Sequence, residues 1–559
     1  MRRAVLLAVT CGLLGAGCRQ APGAGRLDDS VTTVCAGPID VPDPALRQAL
    51  LAVLPEHDED DDGVPDEVVY AEDLAALTGF SAAGLGIEDL AGMECALGLR
   101  SLGLAANAIT ELTPLAALRH LEEIELSGNA VTDLGPLAGL PNLEKLGVAG
   151  NPLADPTELG AFAGLRYLDA SRTGLSDLRP LAPLARLETL LLGGNDLEAL
   201  EGVEAFARLV SLSVSGNAIA DLGPIAGTAT LRYLNADANR IDSLLPLAGL
   251  FLIEDLQVSG NALTSLDGLC GNLRLLRLVA RDNDLTDLSG LCAIPTLATL
   301  DVRDNAITSV VGVEALGGLR RLIVASNELT DLSPIAGLVQ LRDLDVRWND
   351  PLADLAPAGT LPNLQWLAVG GSQRSYDLSP LVGHERLRTL VYTDSTATSF
   401  APLATLPNLV SLDASDSEVT PAMVADLGAV TGLTRLTLDG TEVADLSPLA
   451  PLVGLENLSV EDAALTGIDV VANFPLLVAL RVRGNPLVDL GGTEALAALS
   501  LLDASDTPVS DLAPIVQNET FRTGDRLVVT GTALDATDCA DIATIEMRMA
   551  VVDHDLTCP

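Results

Sequence analysis

The sequence predicts an α/β solenoid: a parallel β-sheet of short strands lines a concave face, and 3₁₀ or other short turns return along the convex face. Three observations predict it. The first is a period of 22, with Leu or Ile at Leu77, Leu99, Leu121 and so on without interruption to Leu341. The second is the pattern inside each period, where the first, fourth and sixth positions are apolar and the residues between them are not, as a strand buried on one face requires. The third is composition: 48 % of the 559 residues are hydrophobic but only 3 % are aromatic, so stacked aliphatic side chains must fill the core.

Within this unit each position has a physical reason. Residues such as Glu123, Glu125 and Ser127 alternate outward onto the concave face. The ninth position is Asn in eleven of the twelve repeats that start from Leu99 to Leu341, with Thr173 the exception. A buried Asn can satisfy main-chain donors and acceptors where the strand turns into the loop, so this column reads as structural. The return segment, as in Asp133-Leu134-Gly135-Pro136-Leu137, has an Asp suited to capping and a Pro suited to starting a tight turn. After Leu341 the spacings become 23, 23, 22 and 24, and the Asn column changes to Ser372, Ser395, Ser417, Thr441 and Ala463 before Asn485 restores it. Less uniform stacking is expected there, with a local change of curvature around residues 350 to 432.

This pattern, L-x-x-L-x-L-x-x-N-x-L-x-x-L, is the leucine-rich repeat signature, and about 20 copies fill residues 77–520. The 22-residue form with D-L-x-P-L-A-x-L resembles the bacterial internalin class. The resemblance implies an extended horseshoe that binds other proteins, with a helical cap before the first repeat.

Residues 37–76 read as that cap. Pro42-Asp43-Pro44 starts a short helix, and an acidic loop follows it. In the loop, Asp58, Asp60, Asp62 and Asp66 stand at positions 1, 3, 5 and 9 of a calcium loop, with Gly63 at the turn. The D-G-V-P-D portion resembles thrombospondin type 3 and related bacterial calcium repeats. It departs from an EF-hand at Val69, where no bidentate carboxylate stands, so a plain solvated acidic loop is the competing reading. Ca²⁺ is the one ion the sequence suggests, and no cofactor is required. Residues 521–559 read as a C-terminal cap with a last strand around Leu527-Val528-Val529-Thr530.

The first residues give an address. Met1-Arg2-Arg3 precedes an apolar run too short to span a bilayer, so 1–17 reads as an export signal. It ends in Leu14-Gly15-Ala16-Gly17-Cys18, which resembles the bacterial lipoprotein signal, although Gly15 stands where that family prefers Leu. The resemblance implies lipidation of Cys18, a tether over 18–36 and an envelope protein held to a membrane by its lipid alone, in the outer membrane or facing the periplasm. Ordinary secretion with cleavage nearby is the alternative. An even cysteine count in an exported chain favours disulfides. Cys35 and Cys95 bracket the N-terminal cap, and Cys539 and Cys558 lie in the last segment. Cys270 and Cys292 occupy one position in adjacent repeats, about 5 Å apart by strand stacking.

Charge and residue types bound the function. A net charge of −45 excludes a nucleic-acid binder. No nucleophile–base pair is visible, and the four His are scattered, which speaks against an enzyme. The leading expectation is a non-enzymatic binding protein that holds a protein or glycan on its concave face; the alternative is an envelope spacer with no dedicated ligand. Most outward positions are small, such as Ser211, Ser213 and Ser215. One stretch differs, with Arg277, Arg281, Asp301, Arg303, Arg321, Asp343, Asp345, Arg347, Trp348 and Trp366. Trp and Arg dominate binding energy at interfaces, so these residues form the expected ligand site. Arg281 and Arg303 stand side by side on adjacent strands, where like charges disfavour one another unless something anionic bridges them; the competing reading is that Asp282, Asp301 and Asp304 neutralise the row from within. Substitution of Trp348, Trp366 or Arg303 is expected to weaken binding while leaving unfolding nearly unchanged.

Overall fold

The computed structural model describes residues 35–57 and 68–558. Asp58, Asp60, Asp62, Asp66 and Cys18 lie outside the described residues. Each of the 20 repeats supplies one strand beginning two residues after its leading Leu, as in Ser101–Gly103 and Glu123–Glu125. Neighbours pair in parallel one repeat apart, Leu102 opposite Ile124 and Ile124 opposite Leu146. The sheet continues beyond the array through Arg526–Val528, which the sequence suggests, and Val551–Asp553, which it does not. It is open at both ends, starting at Gly79–Ser81. The fold is the expected solenoid.

The apolar positions account for the core. Leu99, Leu102 and Leu104 are at most 1 % exposed, and their equivalents recur in the following repeats. The asparagines form the expected ladder. Asn151 donates to Leu126 O and Val148 O, both at 2.9 Å, and accepts from Val131 N at 3.0 Å, so one amide joins successive turns. Thr173 keeps only part of this, donating to Ala170 O at 2.8 Å. Return segments are mostly 3₁₀ turns such as Gly135–Leu137, with Asp133 Oδ1 accepting from Gly135 N at 2.7 Å.

The three pairs Cys35–Cys95, Cys270–Cys292 and Cys539–Cys558 are disulfides, with Cα separations of 5.3, 5.1 and 5.5 Å. The first ties the segment before the helix Pro44–Leu51 to the array. Asp43 makes a second tie. One carboxylate oxygen caps that helix at Ala45 N and Leu46 N, both 2.9 Å, and the other accepts from Glu88 N at 2.8 Å. Burial pushes its pKa up, but these backbone donors together hold it below the usual value.

The irregular repeats differ in strand length and filling. Trp366–Tyr376 and Thr389–Ala397 are long strands, with a register shift between Gly370 and Arg374. Tyr376 at the end of the first, Tyr392 within the second and Phe400 just after it are buried; successive ring centroids lie 6.3 and 5.8 Å apart, edge to face. Rings thus occupy space that elsewhere holds aliphatic side chains beside an Asn. Ser417 Oγ still donates to Tyr392 O at 2.8 Å, in place of the missing amide. The return segment of the 24-residue spacing is a helix, Pro421–Leu427, capped by Thr420.

Candidate functional site on the concave face

Three outward columns follow from the strand alternation: the third, fifth and seventh residues of each repeat. The eighth residue follows, and in all 20 repeats, from Gly84 through Trp348 to Asp506, it has positive φ. This left-handed residue follows the strand except at Gly371 and Asp394, which lie inside the two long strands, and nine of the 20 positions are Gly and six are Asp, the residue types that tolerate it. Trp348, with φ of 52°, is the bulkiest of the others.

The predicted residues fall into two groups and two outliers. In the first group, Asp301 is 2 % exposed and lies between Arg281 and Arg303. Arg281 Nε donates to Asp301 Oδ2 at 2.9 Å, and Arg303 donates from Nε and Nη2 at 3.0 Å each. The anion that bridges the two arginines is therefore the protein's own. Arg277, on the adjacent strand, donates to Asp255 at 3.3 Å. The Asp301 bond is the main reason the Arg303 pKa rises further.

In the second group, Asp345 is 2 % exposed and takes Nε and Nη2 of Arg347 at 3.0 and 2.8 Å. The Arg347 guanidinium carbon lies 4.9 Å from the Trp348 ring centroid, and the indole is 44 % exposed. Gly371 makes room for it: a Cβ there would overlap the Trp348 ring. The outliers are Arg321, exposed and without an ion pair among the described residues, and the Asp343–Trp366 pair, in register on adjacent strands. Burial raises the Asp343 pKa against the pull of Arg321 and Arg342. Burial likewise raises that of Asp237, which accepts from Ser259 N at 2.6 Å.

The arrangement offers guanidinium–carboxylate clamps beside an exposed aromatic, which can bind but holds no nucleophile–base pair among the described residues. No group of three His, Cys, Asp or Glu side chains suited to a metal occurs among the described residues. A hollow of about 560 Å³ lies beyond the irregular strands, lined by Asp416, Ser417, Glu418 and Glu442 among others. Sequence reasoning missed the left-handed column, because Gly and Asp in it look like ordinary loop residues until their register is aligned. It also missed the second-position arginines Arg320, Arg342 and Arg388, which lie just outside the alternating set.

Comparison with known proteins places the fold. No curated protein sequence matches the chain. A family model described as Leucine Rich repeats (2 copies) matches residues 119–160. A leucine-rich-repeat protein from Leptospira interrogans aligns at 19 % identity and TM-score 0.55, covering 71 % of this chain and 98 % of its own. The plant peptide hormone receptor RGFR1 in complex with RGF2 aligns at 15 % and 0.52, covering 85 % and 90 %. An internalin from Listeria monocytogenes aligns at 21 % and 0.40, covering 77 % and 96 %. No helix among the described residues is long and apolar enough to cross a membrane. The chain thus carries leucine-rich repeats, and its fold is a leucine-rich-repeat solenoid.

Proposed function

We propose that the protein is a non-enzymatic binding protein of the bacterial envelope, holding a protein or glycan ligand on its concave face around Trp348 and Trp366. The observation that carries this is Trp348. A large apolar ring is kept exposed on a left-handed residue, over a glycine and beside a clamped arginine. Every repeat turns left-handed at this position and most place Gly or Asp there, so a Trp bears a backbone cost of about 1–2 kcal/mol that those residue types avoid. The receptor solved with RGF2 supports the reading, as a solenoid of this fold in a complex.

The test is crosslinked capture from native envelopes with wild type, with Trp348→Ala/Trp366→Ala and with Ser211→Ala/Ser213→Ala. Capture should collapse only in the tryptophan variant; equal capture by all three sinks the concave site. The address is part of the proposal. Cys18 carries lipid, and Cys18→Ala should move the protein from the detergent phase to the aqueous phase. Asp58, Asp60, Asp62 and Asp66 bind Ca²⁺, and calorimetry of the full chain should show a site that Asp60→Asn/Asp62→Asn removes.

A further inference from the structure

The second residue of each repeat lies at the strand's entry edge, just before the concave columns. Over the early repeats this row neutralises itself: Arg166 sits 3.6 Å from Glu144 and 2.9 Å from Glu188, and Arg232 sits 3.1 Å from Glu254. Arg100 likewise pairs with Glu122. Between Glu254 and Glu456 the row carries no acid and reads Leu276, Ala298, Arg320, Arg342, Gln365, Arg388, Val410 and Thr434. Main-chain bonds join its centre strand by strand: Arg342 N to Arg320 O and Gln365 N to Arg342 O at 2.8 Å, and Arg388 N to Gln365 O at 2.9 Å. Adjacent members are therefore about 4.8 Å apart, a spacing at which like charges oppose folding.

Among the described residues the relief is partial, with Asp343 attracting Arg321 and Arg342 but forming an ion pair with neither. Arg320, Arg321, Arg342 and Arg388 are exposed and form no ion pair among the described residues, and Arg386 reaches only the Asn363 side chain, at 2.6 Å. Asp343 acts on Arg321 and Arg342, and Glu385 lines one hollow with Arg386 and Arg388, in a chain of net charge −45. A cationic strip held in so few ion pairs, in so acidic a protein, calls for an anion from outside.

We propose that this edge binds a carboxylate-bearing polysaccharide. A hollow of about 260 Å³ is lined by Gln365, Glu385, Arg386, Arg388 and Asn408. Its guanidinium groups suit the planar, two-pronged recognition of a carboxylate, and its amides suit ring hydroxyls, as donors and acceptors together. Trp366, next to Gln365, adds a half-buried flat ring that a sugar face can cover. Nucleic acid is disfavoured because its dense charge would meet the acidic remainder of the molecule. An acidic peptide would satisfy the arginines but leave the amides and the indole without hydroxyls or a ring. The proposal rests on reading the chain as a binding protein, but not on the Trp348 cluster.

The experiment is calorimetry of the full chain with polygalacturonate oligomers, neutral dextran and polyglutamate, at about 50 mM salt, where screening is weak. Polygalacturonate should bind, dextran should not, and polyglutamate should bind at least about tenfold more weakly. Arg342→Gln/Arg388→Gln should reduce polygalacturonate binding about tenfold or more, while Trp348→Ala keeps it. No polygalacturonate binding, equal binding of polyglutamate, or an unaffected arginine variant overturns the proposal. Capture lost in Trp348→Ala with polygalacturonate binding intact shows that the two surfaces are separate; capture unaffected by Trp348→Ala removes the concave reading alone.

Discussion

Arg347 stands over the indole of Trp348, 4.9 Å from guanidinium carbon to ring centroid, while the same guanidinium grips Asp345 at 3.0 and 2.8 Å. The clamp fixes the arginine, and the arginine steadies a ring whose other neighbour is Gly371. An exposed aromatic is thus held in one orientation before any ligand arrives, which lowers the ordering cost of binding.

Trp348→Gly separates binding from stability. Glycine relieves a left-handed cost of about 1–2 kcal/mol. It forfeits a cation–π contact of about 0.5–1 kcal/mol. The denaturant midpoint should stay level or rise while partner capture falls sharply. A lowered midpoint would show that the indole is there for packing.

Asp301→Ala should lower stability by about 1–3 kcal/mol, because it leaves two neighbouring guanidiniums without their common acceptor. Arg281 and Arg303 are 42 % and 32 % exposed, so solvent screening holds the cost toward the lower end. On the same geometry Arg303→Glu should lower stability as well, since it sets a second carboxylate against Asp301. Urea unfolding of both variants should show lowered midpoints, and the pair Asp301→Ala/Arg303→Ala should lose less than the two single changes added.

The repeat was legible because every turn repeats one physical problem, and the positions of Leu99, Leu102, Leu104 and Asn107 solve it the same way in most copies. Cys270 and Cys292 were legible for the same reason, as a shared position in adjacent turns. The site was only half legible. Sequence places Arg281, Arg303 and Trp348 on one face, but cannot show that Asp301 is consumed within the cluster or that Trp348 ends its strand left-handed. Those facts depend on side-chain direction and backbone sign, which a periodic pattern does not encode. The edge arginines were hidden because Arg320 and Arg342 look like Arg166 and Arg232 until the absence of acids in the neighbouring repeats is noticed.

Asn151→Ala should cost about 2 kcal/mol, since it strands the buried Val131 N and Val148 O, whereas Leu126 O keeps its bond from Asn129 at 2.8 Å. Asn151→Thr should recover part of this, as Thr441 does in its own repeat with one bond to Leu438 O at 2.6 Å. Urea unfolding measures both. A loss below about 1 kcal/mol for the alanine variant would mean that neighbouring backbone closes over the gap.

Acid should act on stability with two opposite signs. Side-chain hydrogen bonds to Ser289, Ser333 and Ser379 hold Asp287, Asp331 and Asp377 below the usual carboxylate value of 3.8, and a bond from Ser447 N does the same for Asp445. Such groups bind protons more weakly when folded, so their contribution is present above the unfolded pKa and fades as pH falls through the folded value. Asp237, Asp343 and Glu461 are raised, chiefly by burial, so the folded state binds their protons more tightly and gains stability as pH falls through their folded values. Relief of the −45 net charge adds to that gain. The unfolding temperature should therefore climb from neutral pH into the mildly acidic range and drop once pH passes below about 3.8, where the turn aspartates protonate. Asp237→Asn should flatten the climb, and Asp331→Asn should soften the fall. A thermal scan that declines steadily from neutral pH downward would show that the raised pKa values of Asp237, Asp343 and Glu461 do not govern stability.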